Sequence, residues 1–349
     1  MPTLQDRGET QRPPTPGAPR TAVRLRKALL GRDTAILALL VVVWLVASGT
    51  VENFNRPQTV YYLLLDVFPI LLIALPMTMV VVTGEIDLSV ASMMGLSSVV
   101  VGVLHEAGAG MPVAIGTALV VGLLGGALNG FLVTVVGLPS LAVTVGTLAL
   151  YRGLAVGLLG TTAVTGFPEQ WKDLVTDRLF GRGTAIPGVV LLFVVLAVVF
   201  AVVLHFTPVG RAVYAMGLNT EASLFSGIGV GRVKFWLFVV TGLVSSLAGV
   251  YWTLRYDSAR GDNATGLELS VVAAVLVGGV SIFGGRGALP GVIAGVLLIG
   301  ALRSALRLAD VSSDVINVAT GVLLILSVLV PAVSAALRRH RPTRRAAAS

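Results

Sequence analysis

Two carboxylates lie beside a long apolar stretch, and their chemistry is the first that needs an explanation. Glu85 and Asp87 lie in the segment GEIDLS at 84–89, just after the apolar run at 60–82. A charge at the centre of a bilayer costs at least ~3 kcal/mol on insertion scales, so this pair needs a reason to be there. One hypothesis is that Asp87 caps the following helix at a membrane boundary. The other is that Gly84 permits an unwound segment whose Ser89 and Ser92 face a polar pathway.

Patterns for catalysis and nucleotide binding are missing from the sequence. None of its three lysines follows a glycine, so it has no phosphate-binding loop of the form GxxxxGK[ST]. Its three histidines do not form HExxH, and none lies inside an apolar run where it could activate a serine. The absence of cysteine excludes disulfides and thiolate metal sites. We therefore predict a chain that is not an enzyme and binds no metal or cofactor itself.

The composition indicates a membrane protein. Hydrophobic residues make up 55% and charged residues 12% of the chain, against roughly 25% charged in soluble domains. The apolar runs do not alternate as barrel strands would, so spanning helices are predicted. We expect an all-α polytopic membrane protein with about ten transmembrane helices. Their predicted ranges are 34–51, 60–82, 88–105, 111–136, 139–160, 186–206, 233–253, 269–283, 288–305 and 314–336.

Charge distribution gives the orientation and the domain limits. An even number of spans puts both termini on one side, where 16 of the 25 Lys and Arg residues fall, against 8 on the other side and Arg152 within a span. The positive-inside rule then predicts that both termini are cytoplasmic, in a bacterial inner membrane. We predict a disordered basic tail at 1–33, a transmembrane domain at 34–337 with a cytoplasmic loop at 207–232, and a basic tail at 338–349. The net charge of +8 is explained by these tails, so no nucleic-acid partner is predicted.

Two further features concern organisation. DLSV at 87–90 and ELSV at 268–271 each open a predicted span, which suggests a weak internal two-fold repeat of the kind common in transporters. Within the loop at 207–232, Asn219 can cap a short helix, Glu221 suits its first turn, and Gly227 ends it. Such a helix suggests a contact with a cytoplasmic partner, although a purely structural loop is the alternative.

Several segments resemble one transporter family in order along 60–335. GEIDLSVA at 84–91 is similar to the signature GGIDLSVG of ribose-type sugar permeases of ABC importers, with Glu85 and Ala91 in place of two glycines. Asn129-Gly130, the segment LPSLAVTVGT at 138–147 and Arg152-Gly153 resemble further motifs of that family. The segment at 210–217, which begins and ends with glycine, resembles its cytoplasmic loop, as do EAS at 221–223 with Gly227 and VGGVSIFGGRG at 277–287.

The resemblance implies the membrane-spanning subunit of an ATP-binding-cassette importer. It implies ATPase-coupling residues, which are Gly210, Arg211, Gly217, Asn219, Glu221, Ala222 and Gly227. It implies structural or gating residues, which are Gly84, Glu85, Asp87, Gly278, Gly279, Gly284 and Gly285. The candidates for the translocation pathway are Ser89, Ser92, Asn129, Ser140, Thr144 and Thr147. Their hydroxyls and amide could exchange hydrogen bonds with a sugar, or could simply hold helices together.

The resemblance also implies partners and a substrate class. The expected partners are an ATP-binding subunit that carries ATP and Mg²⁺, an extracytoplasmic sugar-binding protein and a second permease, identical or different. The segment YDSARGD at 256–262 is similar to a loop of the rhamnose and autoinducer-2 branch, and a rhamnose-like deoxysugar is the favoured substrate. The alternative function is an ion-coupled secondary sugar transporter, which would need ionisable residues deep in its spans.

Overall fold

The computed structural model describes residues 32–181 and 183–323, together with 325 and 329. The predicted tail at 338–349, and all but the last two residues of the tail at 1–33, lie outside the described residues. The helices that follow one another from the start are α1 (Arg32–Thr50), α2 (Pro57–Val82), α3 (Val90–Glu106), α4 (Met111–Thr134), α5 (Ser140–Leu159), α6 (Glu169–Thr176) and α7 (Val190–Phe206). The remaining helices are α8 (Pro208–Leu218), α9 (Thr220–Phe225), α10 (Val230–Tyr256), α11 (Leu267–Val277), α12 (Leu289–Leu308) and α13 (Ser313–Leu323).

Helix α2 is the centre of the molecule. It is about 39 Å long and apolar all round. Of the 18 residues that form its most hydrophobic stretch, 94% are buried inside the protein. Helices α7, α10, α11 and α12 pack around it. Pro69 and Pro76 lie inside this helix, where each removes a backbone donor, and both are fully surrounded by protein.

Helices α4 and α10 approach each other through a row of glycines. Gly122, Gly126 and Gly130 recur every four residues on α4, so they share one face. A Cβ atom at Gly126 would lie 2.4 Å from the carbonyl oxygen of Phe238, and Gly242 of α10 is equally close to the backbone of α4. Small residues allow such contact in membranes, where dispersion replaces the hydrophobic effect as the main attraction between helices.

The outer surface of the bundle is apolar along α4 and α5. Of the most hydrophobic 18-residue stretch in each helix, only 33% is buried in α4 and only 28% in α5. Both helices are nevertheless long and hydrophobic enough to cross a membrane. Leu124 and Val145 are among the large side chains that they expose. An exposed apolar surface on long helices is what lipid or a second membrane subunit would cover.

The links between helices gather at two ends of the bundle. At the end that we call the junction end, the link at 83–89 meets the segment at 207–229 and the loop at 278–288. At the opposite end, called the loop end, the segments 51–56, 160–189 and 257–266 meet. A two-stranded antiparallel sheet of β1 (Ala163–Val164) and β2 (Ala259–Arg260) joins two of those segments. The all-α prediction therefore misses one short sheet, which forms because adjacent extended backbones need hydrogen-bond partners.

The apolar segments predicted from the sequence correspond to helices, but not all of them to long ones. Among the described residues, five helices can cross a membrane by length and composition, which are α2, α4, α5, α10 and α12. A sixth crossing is counted if α7 and α8, bent by 66° at Thr207, form one span. Helices α3 and α11 are apolar but shorter, as are the parts of α1 and α13 that the structure describes in full, Thr34–Thr50 and Ser313–Leu323. The molecule is thus mostly helical and polytopic, whereas the count of ten crossings and the two-fold repeat stay predictions.

Candidate functional site

The predicted cytoplasmic helix is present as α9, and a helix that the sequence did not reveal precedes it. Helix α8 begins where Thr207 adopts an extended conformation and Pro208 occupies the first helical position. Asn219 separates the two helices and caps α9, since its Oδ1 accepts a hydrogen bond of 2.9 Å from the Ala222 N–H. Gly227, with φ of +80°, ends the turn, as its residue type predicts.

Helix α9 presents both charged and apolar side chains to the outside. Glu221 lies in its first turn and is exposed, as are Ala222 and, on α8, Arg211. Phe225 is 92% exposed and Leu224 is 55% exposed. A six-residue helix with an uncovered aromatic tip at its end has the composition of a contact surface rather than of a solvated connector.

Glycines from three distant segments meet at the junction end. A Cβ atom at Gly217 would lie 1.9 Å from the carbonyl oxygen of Val82 and 2.3 Å from the amide nitrogen of Gly285. One at Gly284 would lie 2.9 Å from the Gly217 carbonyl oxygen and 3.0 Å from the Gly84 nitrogen. The Gly285 N–H also donates to the Val82 carbonyl oxygen at 2.8 Å. The end of α8 therefore lies against the last residue of α2 and against the loop at 278–288, and that loop in turn approaches Gly84 of the link.

The other predicted glycines serve close packing and turns nearby. Gly210 lies at the opposite end of α8 from Gly217, where a Cβ atom would be 1.9 Å from the Leu204 carbonyl oxygen of α7. Gly278 lies against α12, with 2.4 Å between its ideal Cβ position and the Cα of Val292. Gly279 has φ of +93°, which only glycine adopts at low cost. The loop at 278–288 is thus fixed to α12 as well as to α8.

The link at 83–89 is unwound and partly buried, and both of its carboxylates have polar partners. Gly84 has φ of +84°. The carboxylate of Glu85 forms an ion pair with Lys234 of α10 at 2.5 Å, and the two side chains are only 18% and 13% exposed. Asp87 is 1% exposed, and its Oδ1 accepts hydrogen bonds from the Ser89 N–H at 2.9 Å and the Ser89 Oγ–H at 2.6 Å. Asp87 therefore does not cap α3 itself, whose N-cap residue Ser89 makes no side-chain capping hydrogen bond, but it holds Ser89 in place within the interior.

A buried polar cluster extends from this carboxylate. The Asn129 side-chain amide donates to Ser89 Oγ at 2.8 Å, and the Tyr151 hydroxyl lies 3.4 Å from Asn129 Oδ1 and donates to the Gly125 carbonyl oxygen at 2.9 Å. Ser92 donates to the Ser89 carbonyl oxygen at 2.8 Å. Residues of α3, α4 and α5 thus share one network beside the link, which brings three of the predicted pathway residues together.

The remaining three predicted pathway residues lie along the start of α5. Ser140 Oγ accepts from the Ile86 N–H at 3.3 Å, and the Thr144 hydroxyl donates to the Ile86 carbonyl oxygen at 3.3 Å. Both side chains therefore hold the same residue of the link. Thr147 lies one turn further on the same face, and its hydroxyl donates within its own helix, to the Val143 carbonyl oxygen at 3.1 Å.

Sequence reasoning missed two residues of this site. Lys234 is 149 positions away from Glu85, and the signal that could have suggested it is the rarity of lysine, with only three in the chain. Tyr151 has no motif of its own, and only its polar hydroxyl in an apolar helix could have drawn attention. Within the described part of the chain, no group of three or more His, Asp and Glu residues could hold a metal ion. The arrangement offers hydrogen bonding between the helices and close contact between their ends.

Comparison with known proteins identifies the family. A family model described as branched-chain amino acid transport system / permease component matches residues 59–328. The chain is 35% identical over 305 residues to the autoinducer 2 import system permease protein LsrD of Escherichia coli O9:H4, covering 85% of this chain and 91% of that one. The protein of that name from Yersinia enterocolitica is 34% identical over 275 residues, 77% of this chain and 81% of that one.

No solved structure matches the chain. The family match spans the link at 83–89, the segment at 207–229 and the loop at 278–288, so it includes every element that meets at the junction end. Rhamnose receives no support from these relatives, because both are named for autoinducer 2. The protein is a membrane-spanning transport permease, and it belongs to the family of ribose-type ABC permeases.

Proposed function

We propose that this chain is the permease subunit of an ABC importer that moves a small polyhydroxylated molecule of the ribose type, with autoinducer 2 favoured over rhamnose. The relatives named for autoinducer 2 import support this choice of substrate. An extracytoplasmic binding protein would deliver the substrate, a separate ATP-binding subunit would supply the energy with its own ATP and Mg²⁺, and a second permease would complete the membrane unit. The chain itself is then not an enzyme.

One observation carries the proposal. Helix α9 is short, capped and exposed, and the segment that holds it contacts, through Gly217, Val82 at the end of α2, the residue directly before the link at 83–89. A force applied to α9 by a cytoplasmic partner would therefore reach the link and the polar cluster of Ser89 and Asn129 without passing through a flexible side chain. The orientation with both termini and α9 in the cytoplasm is part of the proposal, supported by the distribution of Lys and Arg.

The translocation pathway is proposed to open beside the polar cluster. Ser89, Ser92, Asn129, Ser140, Thr144 and Thr147 are buried in this conformation. Their hydroxyls and amide have short-range partners that could be exchanged for the hydroxyls of a substrate. Movement of the link would break the contacts of Ser140 and Thr144 with Ile86 first, since both bonds are 3.3 Å long.

The experiment is ATP hydrolysis in proteoliposomes that contain the chain, its ATP-binding subunit and its binding protein. Glu221→Lys reverses a charge on α9, and Glu52→Lys is the matched control, since Glu52 is exposed at the loop end. We expect Glu221→Lys to weaken association with the ATP-binding subunit and to abolish stimulation by the loaded binding protein. Glu52→Lys should retain the association.

Two outcomes would contradict the proposal. If Glu221→Lys leaves both the association and the stimulated hydrolysis unchanged, α9 is not the coupling element. If the purified chain alone moves substrate down a proton gradient, the ion-coupled secondary transporter replaces the importer as the function.

A further inference from the structure

A chamber of about 880 Å³ lies at the loop end, remote from the junction. Helices α2, α10, α11, α12 and α13 and the segment at 257–266 enclose it. Its volume falls within the roughly 300–1,000 Å³ that is usual for small-molecule sites. The side chains that matter here are Asp66, Trp252, Tyr256, Ser270, Arg303 and Thr320.

Arg303 is the unusual member of this chamber. It lies five residues before the end of α12, about 8 Å inside the helix, and it is half-buried. Its Nε donates to Thr320 Oγ1 at 3.3 Å and its Nη2 donates to Ser270 Oγ at 3.2 Å. Both bonds are long, and among the described residues no carboxylate forms an ion pair with it. Three of its five N–H donors therefore remain for another partner.

The other charges near the chamber are matched. Arg307 pairs with Asp66 at 3.2 Å, and Arg260 pairs with Asp262 at 2.8 Å. The hydrogen bonds from Arg260 hold the pKa of Asp262 below its usual value, so that this carboxylate stays charged and neutralised by its neighbour. Arg303 differs from both arginines, because a half-buried cation in an apolar helix is costly and marks a functional site by default.

The chamber also offers acceptors and an apolar face. Asp66 keeps one carboxylate oxygen near the Tyr256 hydroxyl at 3.4 Å, and its side chain faces the same space as Arg303. Trp252 and Tyr256 form an aromatic pair with ring centroids 4.6 Å apart. Donors, acceptors and aromatic rings together suit a ligand with hydroxyls on one side and C–H groups on another.

We propose that this chamber binds a small neutral polyol, with the guanidinium of Arg303 donating to the oxygens of two neighbouring hydroxyl groups. Asp66 accepts from a further hydroxyl, and the rings of Trp252 and Tyr256 contact the apolar face of the ligand. A neutral ligand is proposed rather than an anion, because Arg307 and Arg260 are each already paired with a carboxylate, so that no second unpaired cation lies beside Arg303 among the described residues. The proposal rests on the proposed function, since the chamber would receive the substrate before it reaches the polar cluster at the other end.

The test uses the absence of cysteine from the chain. Ser304→Cys places a thiol on the chamber wall, and Ala107→Cys places one at an exposed site of the same end outside the chamber. The full complex in proteoliposomes is treated with a membrane-impermeant maleimide from the outer side, with rising concentrations of autoinducer 2, D-ribose or inorganic phosphate. We expect autoinducer 2 or ribose to protect Ser304→Cys and not Ala107→Cys.

Two substitutions of Arg303 in the Ser304→Cys chain separate the possible ligand chemistries. Arg303→Gln keeps hydrogen-bond donors and removes the charge, so the protecting concentration should change less than about threefold. Arg303→Met removes the donors, so that concentration should rise about tenfold or more. Equal protection in the Met variant would overturn the role of Arg303, and protection by phosphate that Arg303→Gln abolishes would make the chamber an anion site.

A failure of this inference is distinguishable from a failure of the proposed function. If neither autoinducer 2 nor ribose protects Ser304→Cys while the same complex imports one of them with ATP, the chamber is not a ligand site and the importer stands. If no import and no ATP-binding subunit association are found, but protection occurs, the chamber binds polyols in a protein of different function.

Discussion

The ion pair between Glu85 and Lys234 is the feature at the residue scale that distinguishes this chain from the signature it resembles. Glu85 stands where the common form of that signature has glycine, and Lys234 is the fifth residue of α10, near its N-terminus. A cation at a helix N-terminus opposes the helix dipole, so Lys234 needs a compensating charge. Glu85 provides it at 2.5 Å, and the pair ties the link at 83–89 to the helix that follows α9.

Breaking this pair should destabilise the protein, and removing both charges should not. Lys234→Met leaves Glu85, only 18% exposed, without its partner, and we expect the free energy of unfolding to fall by about 3 kcal/mol. The double variant Glu85→Gln/Lys234→Met should recover most of that loss. Thermal unfolding of the full chain in detergent measures both, with Glu52→Gln as an exposed control. A double variant no more stable than Lys234→Met would show that the pair is not the cause.

At the scale of elements, the contact between the end of α8, Val82 and the loop at 278–288 is where we expect motion to be transmitted. Gly217 belongs to α8, which carries α9 at its end, and it meets Val82 and Gly285 without any side chain between them. Backbone contacts of this kind have little freedom to yield, because neither partner can change a rotamer. We therefore expect the segment at 207–229 to act on the start of the link as a rigid lever rather than through a chain of flexible residues.

Gly217→Ala should disrupt this contact. Its Cβ would lie 1.9 Å from the Val82 carbonyl oxygen, so α8 or the link must move, and we expect substrate-stimulated ATP hydrolysis to fall at least tenfold in the reconstituted complex. Gly231→Ala in α10 is the matched control, since the nearest atoms lie 3.9 Å from its Cβ position. That control should gain up to about 1 kcal/mol from helix propensity and keep its activity. Equal loss in the two variants would contradict the role of the contact.

The sequence predicts those elements whose formation depends on residues close together in the chain. Asn219 and Gly227 act on their immediate neighbours, and the structure places both as predicted. Helix α8 was missed because the segment at 210–217 was interpreted as a family motif in a loop, although Thr207 and Pro208 form a helix start. Each glycine of the junction can be explained by the needs of its own segment. No pattern within one segment therefore indicates that the segments around 84, 217 and 284 meet.

At the scale of the whole molecule, the two proposed sites lie at opposite ends. The junction end holds the exposed helix α9 and the partly buried link, and the loop end holds the chamber with Arg303. The 26-residue helix α2 reaches from Asp66, on the chamber wall, to Val82, in the junction. The family and the apolar helices were predictable from sequence, whereas the chamber was not, because its walls combine α2 with four consecutive helices, α10 to α13, that lie about 150 residues or more further along the chain.

The assignment of the two ends to the two sides of the membrane is testable with single cysteines. We expect Ala107→Cys to react with a membrane-impermeant maleimide added outside intact cells, and Ser226→Cys to react only after the membrane is permeabilised, because Lys and Arg favour the junction side as cytoplasmic. Both positions are exposed, so accessibility differs only by side. The reverse labelling pattern would invert the orientation and remove α9 from the reach of an ATP-binding subunit.

The glycine contact at the junction also limits how this protein can evolve. A single methyl group at Gly217 already overlaps the Val82 carbonyl oxygen, so the position offers no series of small, tolerated steps. Selection that adjusts the strength of coupling would have to act on neighbouring side chains instead. The ion pair of Glu85 and Lys234 is such a place, because a charge there can be gained, lost or exchanged while the three backbones keep their contact.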